Sequence, residues 1–359
     1  MNPQPRPNPS RRAKSANEPL RVVAIGGGTG LSTLLKGLKR YVQPAPGISL
    51  APGDRPVISA LSAVVTVSDD GGSSGRLRKE LNMLPPGDIR NCVVALSEDE
   101  ALLSRLFQHR FQKGSGLEGH SFGNLFLAAL TSITSDFAEA VRLSSEILAT
   151  RGVIYPATTS NIELEALMED GTRVRGETKI TASKGRIKEL FLVPPDVQPL
   201  PATLEAIAEA DLITIGPGSL FTSMIPNLLV HGIPQAIVSS SAVKVFVCNL
   251  MTQANESLDL SAADHIRALC NHAQARIFDY ALINRAPVSE ELKVKYASEG
   301  ASQIAVDLDA IEAQGVCAVL GDYLEQGDVA RHATDRVARD LLQLVTQVPV
   351  LDDAASSRS

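Results

Sequence analysis

The run Arg21-Val-Val-Ala-Ile25 leads straight into Gly26-Gly-Gly-Thr-Gly30, and leucines follow at 31, 34, 35 and 38. No other stretch constrains the fold as strongly. The first five residues read as a short buried strand, and the leucines fall on one face of a helix. Strand, glycine turn and helix in that order open a doubly wound sheet. The expected class is therefore α/β, with a Rossmann-like, mostly parallel sheet.

The rest of the chain keeps that rhythm, with one interruption. An apolar β-rich run from Val57 to Val67 is the second strand, and residues 86–150 read as mostly helical. Between about Val153 and Val193 the pattern alternates instead. Ile162 to Met168, a turn at Glu169-Asp170-Gly171, and Val174 to Ile180 predict a small antiparallel β insertion. Helix Leu204–Ala208 and strand Leu212–Ile215 then resume the α/β order. Further strands are expected near Gln235–Ser239, Val243–Cys248 and Ile277–Ile283, and a last helix over Asp335–Val345. This gives one domain over 21–347, flanked by a basic disordered leader (1–20) and a disordered tail (348–359).

Composition narrows the function classes. A net charge of −6 argues against general nucleic-acid binding, and the absence of Trp with 4% aromatics argues against a stacking platform. Four scattered cysteines (92, 248, 270 and 317) form no CxxC pair, which fits a reducing cytoplasm and no structural zinc. No apolar run approaches the ~18 residues a membrane span needs, and the leader lacks the apolar segment of a signal peptide.

The chemistry concentrates in small-residue loops. Ser68-Asp-Asp-Gly-Gly-Ser-Ser-Gly-Arg76-Leu-Arg78 combines two adjacent carboxylates, three glycines, three serines and two arginines. Glycines let backbone N–H groups approach an anion, arginines grip phosphate, and Asp69 with Asp70 suits a hard cation such as Mg²⁺ or general-base work. The competing reading of the aspartates is helix capping. Gly27, Gly28, Thr29 and Gly30 fit a phosphate-facing helix N-terminus. They are not a dinucleotide fingerprint, because G-x-G-x-x-G from Gly26 requires glycine where Leu31 stands. Asp88 is either the N-cap of the helix after Pro85-Pro86-Gly87 or a ligand contact, with Arg90 and Asn91 in reach of a base or sugar. Gly119-His120-Ser121-Phe122-Gly123 formally matches a nucleophile elbow, but no strand precedes it. Ser121 as a helix cap, with His120 and Asn124 on the ligand, is the better reading. Gly216-Pro217-Gly218-Ser219 offers a second phosphate or ribose contact, and Arg331 precedes the last helix, where Thr334 is an N-cap candidate. In a parallel sheet these turns share one edge, so they are expected to converge.

Taken together, in order and over Arg21–Val345, these segments resemble the YvcK-like gluconeogenesis factor family, related to 2-phospho-L-lactate transferase (CofD). Pro226-Asn227-Leu228-Leu229 and Asn249-Leu-Met-Thr-Gln253 add to the likeness, whereas Ala254-Asn-Glu-Ser257 stands where the family tends toward Pro-Gly-Glu-Thr. The resemblance implies a cytoplasmic protein needed for cell shape and for growth on gluconeogenic carbon sources. It also implies binding of a UDP-sugar such as UDP-N-acetylglucosamine with help from Arg331, and phosphorylation at the position of Thr334. From the transferase relatives it implies a metal and a transferred phosphate near Asp69 and Asp70. The alternative function is thus a Mg²⁺-dependent transferase of a phosphate-bearing group. No tightly bound cofactor is expected, and a homo-oligomer, in the simplest case a dimer, is the default assembly.

Overall fold

The computed structural model describes residues 18–43, 57–98, 100–183 and 185–346. The expected leader, up to residue 17, and the expected C-terminal tail lie outside the described residues.

Seven strands form one parallel sheet: β1 (Leu20–Gly26), β2 (Ile58–Val65), β3 (Val153–Pro156), β7 (Leu212–Ile215), β8 (Val243–Val247), β9 (Tyr280–Asn284) and β10 (Cys317–Gly321). Their order is β10-β9-β8-β7-β1-β2-β3. From β1 the chain winds outward through β2 to β3, then returns to the other side of β1 as β7 and continues outward. The switch point therefore lies between β1 and β7, paired in parallel with Ile25 opposite Ile215. Both strands are almost wholly buried and apolar, as an internal parallel strand covered on two faces requires.

Helices pack in two groups. The first contains α1 (Gly28–Lys39), α3 (Gly87–Leu96) and the C-terminal helix Thr334–Thr346; the second contains Pro201–Glu209, Ile233–Ser239 and Ala262–Ala273. Helix α1 presents Leu31, Leu34, Leu35 and Leu38 to the core, all 1% exposed or less. Between α1 and α3 in the chain, α2 (Gly72–Leu81) follows the aspartate loop. Helices α4 (Glu100–Gln108) and α5 (Phe122–Thr134) complete that side, with Phe107 packed edge-on against Phe122 and Phe126.

The antiparallel insertion is a three-stranded sheet of β4 (Glu163–Met168), β5 (Arg173–Arg175) and β6 (Ile187–Val193). It starts later than the expected boundary at 153. Val153–Pro156 is the edge strand of the main sheet, paired with β2 and drawn against it where Gly152 abuts the Leu61 carbonyl. Two other expectations fail for related reasons. Val174–Ile180 does not stay extended: Gly176, at φ +99°, breaks it and a helix runs from Glu177 to Ala182. Gln235–Ser239 is helical, because Gly232 in a left-handed conformation and Pro234 start a helix whose apolar residues Ile233 and Ile237 lie four apart. Among the described residues no helix is long and apolar enough to cross a membrane.

The two glycine turns at the switch point touch. A Cβ at position 30 would stand 2.3 Å from the Pro217 carbonyl oxygen, so only glycine allows this approach. Gly30→Ala is expected to destabilise the fold by about 1–3 kcal/mol, whereas Gly327→Ala, in open space, is expected to be silent. Thermal melts of both variants check this; equal melting temperatures would remove the contact from the account.

Candidate functional site

The crevice at the carboxyl ends of β1, β2 and β7 collects the small-residue loops. Strand β1 ends at Gly26, whose carbonyl accepts hydrogen bonds from the Thr66 N–H (3.0 Å) and from Asn227 Nδ2 (3.1 Å). The chain then turns through Gly27, and α1 begins at Gly28, which has φ +62°. No side chain caps α1, nor α2 behind Gly71, nor α3 behind Pro86. Three helices thus begin at this edge without a side chain from their own N-cap residue, and their dipoles favour negative charge, which at α1 the Asp88 carboxylate already supplies. Opposite, Gly218 exchanges hydrogen bonds with the Asn249 amide (3.0 and 2.7 Å), and Ser219 Oγ accepts from Gln253 Nε2 (2.9 Å). Behind this turn Glu256 accepts from the Phe221 and Thr222 N–H groups, each at 2.9 Å, and so fixes the short helix that follows.

The two aspartates of the loop have separate partners. Asp69 Oδ1 accepts from the Gly71 N–H at 2.8 Å, closing the turn into α2. Asp70 Oδ1 accepts from both the N–H (2.8 Å) and the hydroxyl (2.5 Å) of Thr178. Asp70 therefore ties the loop to the β insertion. Asp88 is not the cap of α3, since Pro86 holds that position and Asp88 lies in the first turn. Its carboxylate instead meets the Gly28 N–H at the start of α1.

Asp69, Asp88 and Glu177 crowd one another. Burial first, and then the charge of Asp69, push the Asp88 carboxyl up to about 6. Glu177, an acid that the sequence did not flag, is half-buried, and its pKa is pushed well above the ordinary range by burial and by Asp69, Asp88 and Asp70. It accepts from the Ser68 hydroxyl at 3.3 Å. Among the described residues no three His, Cys, Asp or Glu side chains are arranged as a ready metal site.

Beside this acidic wall lies a neutral and cationic one. Ser73 Oγ is 2.9 Å from His120 Nδ1 and accepts from Asn124 Nδ2 at 3.1 Å. Arg90 donates to Ser121 Oγ (2.6 Å), Asn124 Oδ1 (3.1 Å) and Asn91 Oδ1 (2.8 Å), while its buried Nε has no partner. Ser121 caps α5 by accepting from the Asn124 N–H. Burial, then the nearby Arg76 charge, lower the His120 pKa, so the ring is neutral near pH 7. Arg76 donates to the Glu118 carbonyl at 2.6 Å.

The structure thus brings together Gly27 to Gly30, Ser68, Asp69, Gly71, Gly72, Ser73, Asp88, Arg90, Asn91, His120 and Asn124, with Gly216, Gly218 and Ser219 across the crevice. Arg331 sits apart from this network. It is exposed on β12 (Ala330–His332), which pairs with β11 (Leu324–Gln326), and the hairpin is tied down where His332 Nε2 donates to the Cys248 carbonyl beyond β8. Thr334 is the first residue of the last helix rather than its cap. Asn227 and Asn249, which hold the turns, belong to stretches that carry the resemblance, whereas Glu256 lies in the stretch that departs from it; Glu177 and Thr178 carried no sequence signal.

A parallel doubly wound sheet whose small-residue turns gather at the switch point defines an α/β protein of the Rossmann-like class, in which ligands bind at the carboxyl ends of the strands. The family model for 2-phospho-L-lactate transferase CofD matches residues 22–324, and the chain belongs to that family. It is 50% identical to a gluconeogenesis factor of Halalkalibacterium halodurans over 90% of this chain and 95% of that one. The gluconeogenesis factor of Bacillus subtilis is 46% identical over 91% of this chain and 98% of its own length. A crystal structure of Bacillus halodurans protein BH3568 superposes with a TM-score of 0.84 at 48% identity, covering 90% of this chain and all of that one. A second crystal structure, of a UPF0052 family member from the same organism, gives 0.83.

The raised Asp88 pKa has a stability consequence. The folded state binds this proton more tightly than the unfolded chain, so Asp88 favours folding below pH ~4 and that contribution is lost as pH rises through about 6. Asp88→Asn keeps an acceptor for Gly28 and removes the buried charge. It is expected to stabilise the protein by about 1–3 kcal/mol at pH 8, with the gain fading between pH 6 and 4. Denaturant melts across that range check it; a gain that does not vary with pH would contradict the assignment.

Proposed function

We propose that this protein binds a UDP-sugar of the UDP-N-acetylglucosamine type in the crevice and acts as a cytoplasmic regulator of cell shape and of growth on gluconeogenic carbon sources. The observation that carries the ligand reading is the abutment of two glycine turns at the switch point. The N-termini of three helices there, none capped by its own N-cap residue, suit a diphosphate. The sugar and base would meet the Ser73–His120–Asn124 and Arg90–Asn91 network. Arg331, on its exposed hairpin, would reach the outer end of the ligand. The names of the gluconeogenesis factors support the physiological half of the reading. A homodimer is the assembly we assign to it.

Mg²⁺ fits this site in a limited way. With Asp70 held by Thr178, the carboxylates that would take the ion are Asp69 and Asp88, whose mutual repulsion a cation relieves. Mg²⁺ commonly binds through one or two carboxylates and the phosphates of a ligand. When bound it would neutralise diphosphate charge.

The second reading is transfer of a phosphate-bearing group, in keeping with the family's description. Asp88 favours it, because a carboxylate titrating near 6 is placed to accept a proton from an attacking hydroxyl near neutral pH. Arg90 would then offset the negative charge that develops as the bridging P–O bond breaks.

Calorimetry with UDP-N-acetylglucosamine and with GDP, with and without Mg²⁺, separates the readings when paired with chromatography of the nucleotide after hours of incubation. Saturable binding of the UDP-sugar with no product is expected, and Arg331→Ala is expected to weaken it about tenfold, or ~1.4 kcal/mol, with an unchanged melting temperature. Turnover of a nucleotide diphosphate in the presence of an acceptor would establish the transferase instead.

A further inference from the structure

A second polar cavity lies outside the crevice, behind the aspartate loop. It measures about 420 Å³ and is enclosed by α2, the start of β4, β5 and the helix that begins at Glu177. Its lining is Asp70, Gly75, Arg78, Lys79, Asn82, Asn161, Glu163, Arg175, Gly176 and Lys179, with no aromatic or aliphatic side chain among them.

Three observations decide what such a cavity takes. First, the floor is a built cation: Arg78 is 8% exposed, and it donates to the carbonyls of Ser68 and Ile162 rather than to a carboxylate. Second, both acids in the lining are engaged, Asp70 by Thr178 and Glu163 by Arg175. Lys79 and Lys179 carry no ion pair among the described residues, so with Arg78 three cations lack a carboxylate partner, while Glu163, paired with Arg175, keeps lone pairs for further donors. Third, Asn82, Asn161 and Glu163 supply neutral and acidic hydrogen-bonding groups beside the cations. An inorganic anion has no use for a carboxylate acceptor. A molecule carrying both a phosphate and several hydroxyls does, because its hydroxyls donate to Glu163 and to the amide oxygens while its phosphate takes Arg78 and the lysines. With no aromatic or aliphatic side chain in the lining, the cavity favours a hydrogen-bonding, hydroxyl-rich ligand over a flat ring.

We propose that this cavity is a binding site for a small phosphorylated polyol or sugar, separate from the crevice. The site shares its floor with the crevice loop, since Arg78 holds the Ser68 carbonyl from behind.

Lysine footprinting tests the proposal on the full chain. The protein is acetylated with a limiting reagent in the presence of glucose 6-phosphate, inorganic phosphate or glucose, and modification is read peptide by peptide. Glucose 6-phosphate is expected to protect Lys79 and Lys179 at least about threefold while leaving Lys293 and Lys295 unchanged, with inorganic phosphate weaker and glucose inert. Calorimetry of Lys179→Ala, an exposed substitution that spares the fold, is expected to show glucose 6-phosphate binding weakened about tenfold. Equal protection by inorganic phosphate would overturn the polyol assignment. No protection of either lysine at millimolar ligand, or unchanged affinity in Lys179→Ala, would overturn the site. Neither readout passes through the crevice, so the result stands or fails independently of the UDP-sugar reading.

Discussion

The contact between Gly30 and the Pro217–Gly218 backbone is the constraint on which the site depends. Parallel strands β1 and β7 bring the starts of their following segments side by side, and a side chain at position 30 would force them apart. With glycine there, the N-terminus of α1 and the Gly216–Ser219 turn form one surface. Asn227 and Asn249 then fix the two sides, the first by holding the Gly26 carbonyl and the second by bracketing Gly218. Asn227 adds a second donor to the Gly26 carbonyl, and Asn249 satisfies both the N–H and the carbonyl of Gly218, backbone groups that would be costly to leave unpaired.

The electrostatics of the crevice follow from that geometry. Helix N-termini concentrate positive potential at one edge, and the protein places Asp69, Asp88 and Glu177 close to it. Asp88 spends part of its charge on the Gly28 N–H, but burial and Asp69 outweigh this and raise its pKa. The acids are therefore not a passive counterweight to the helix dipoles; they are held in a state that a cation or a change of protonation relieves. Arg90 sits beside these acids, on the same helix as Asp88, with its own polar ring of Ser121, Asn124 and Asn91.

Much of this was legible in the sequence because the signals were local. The leucine periodicity after Gly30 places α1, the run at 212–215 places β7, and the small-residue turns mark the edge where ligands bind. Ser121 as the cap of α5 follows from its position before an apolar helical stripe. What escaped depended on tertiary partners. Asp69 and Asp70 are adjacent and look equivalent, yet only the fold shows that Thr178, more than a hundred residues on, claims Asp70. Asp88 resembles an ordinary first-turn acid until α3 packs on α1 and turns it to Gly28. The edge strand at 153–156 was absorbed into the insertion because a four-residue strand carries too little periodicity to show which sheet it joins. At Gln235–Ser239 a short apolar run fits a buried strand and a buried helix equally well, and the fold makes it a helix.

The most direct test is a crystal structure of the protein grown with UDP-N-acetylglucosamine and Mg²⁺. The account predicts the diphosphate lodged between residues 27–30 and 216–219, with any metal on Asp69 and Asp88. A diphosphate bound elsewhere, with the two glycine turns still in contact and no ligand between them, would contradict it.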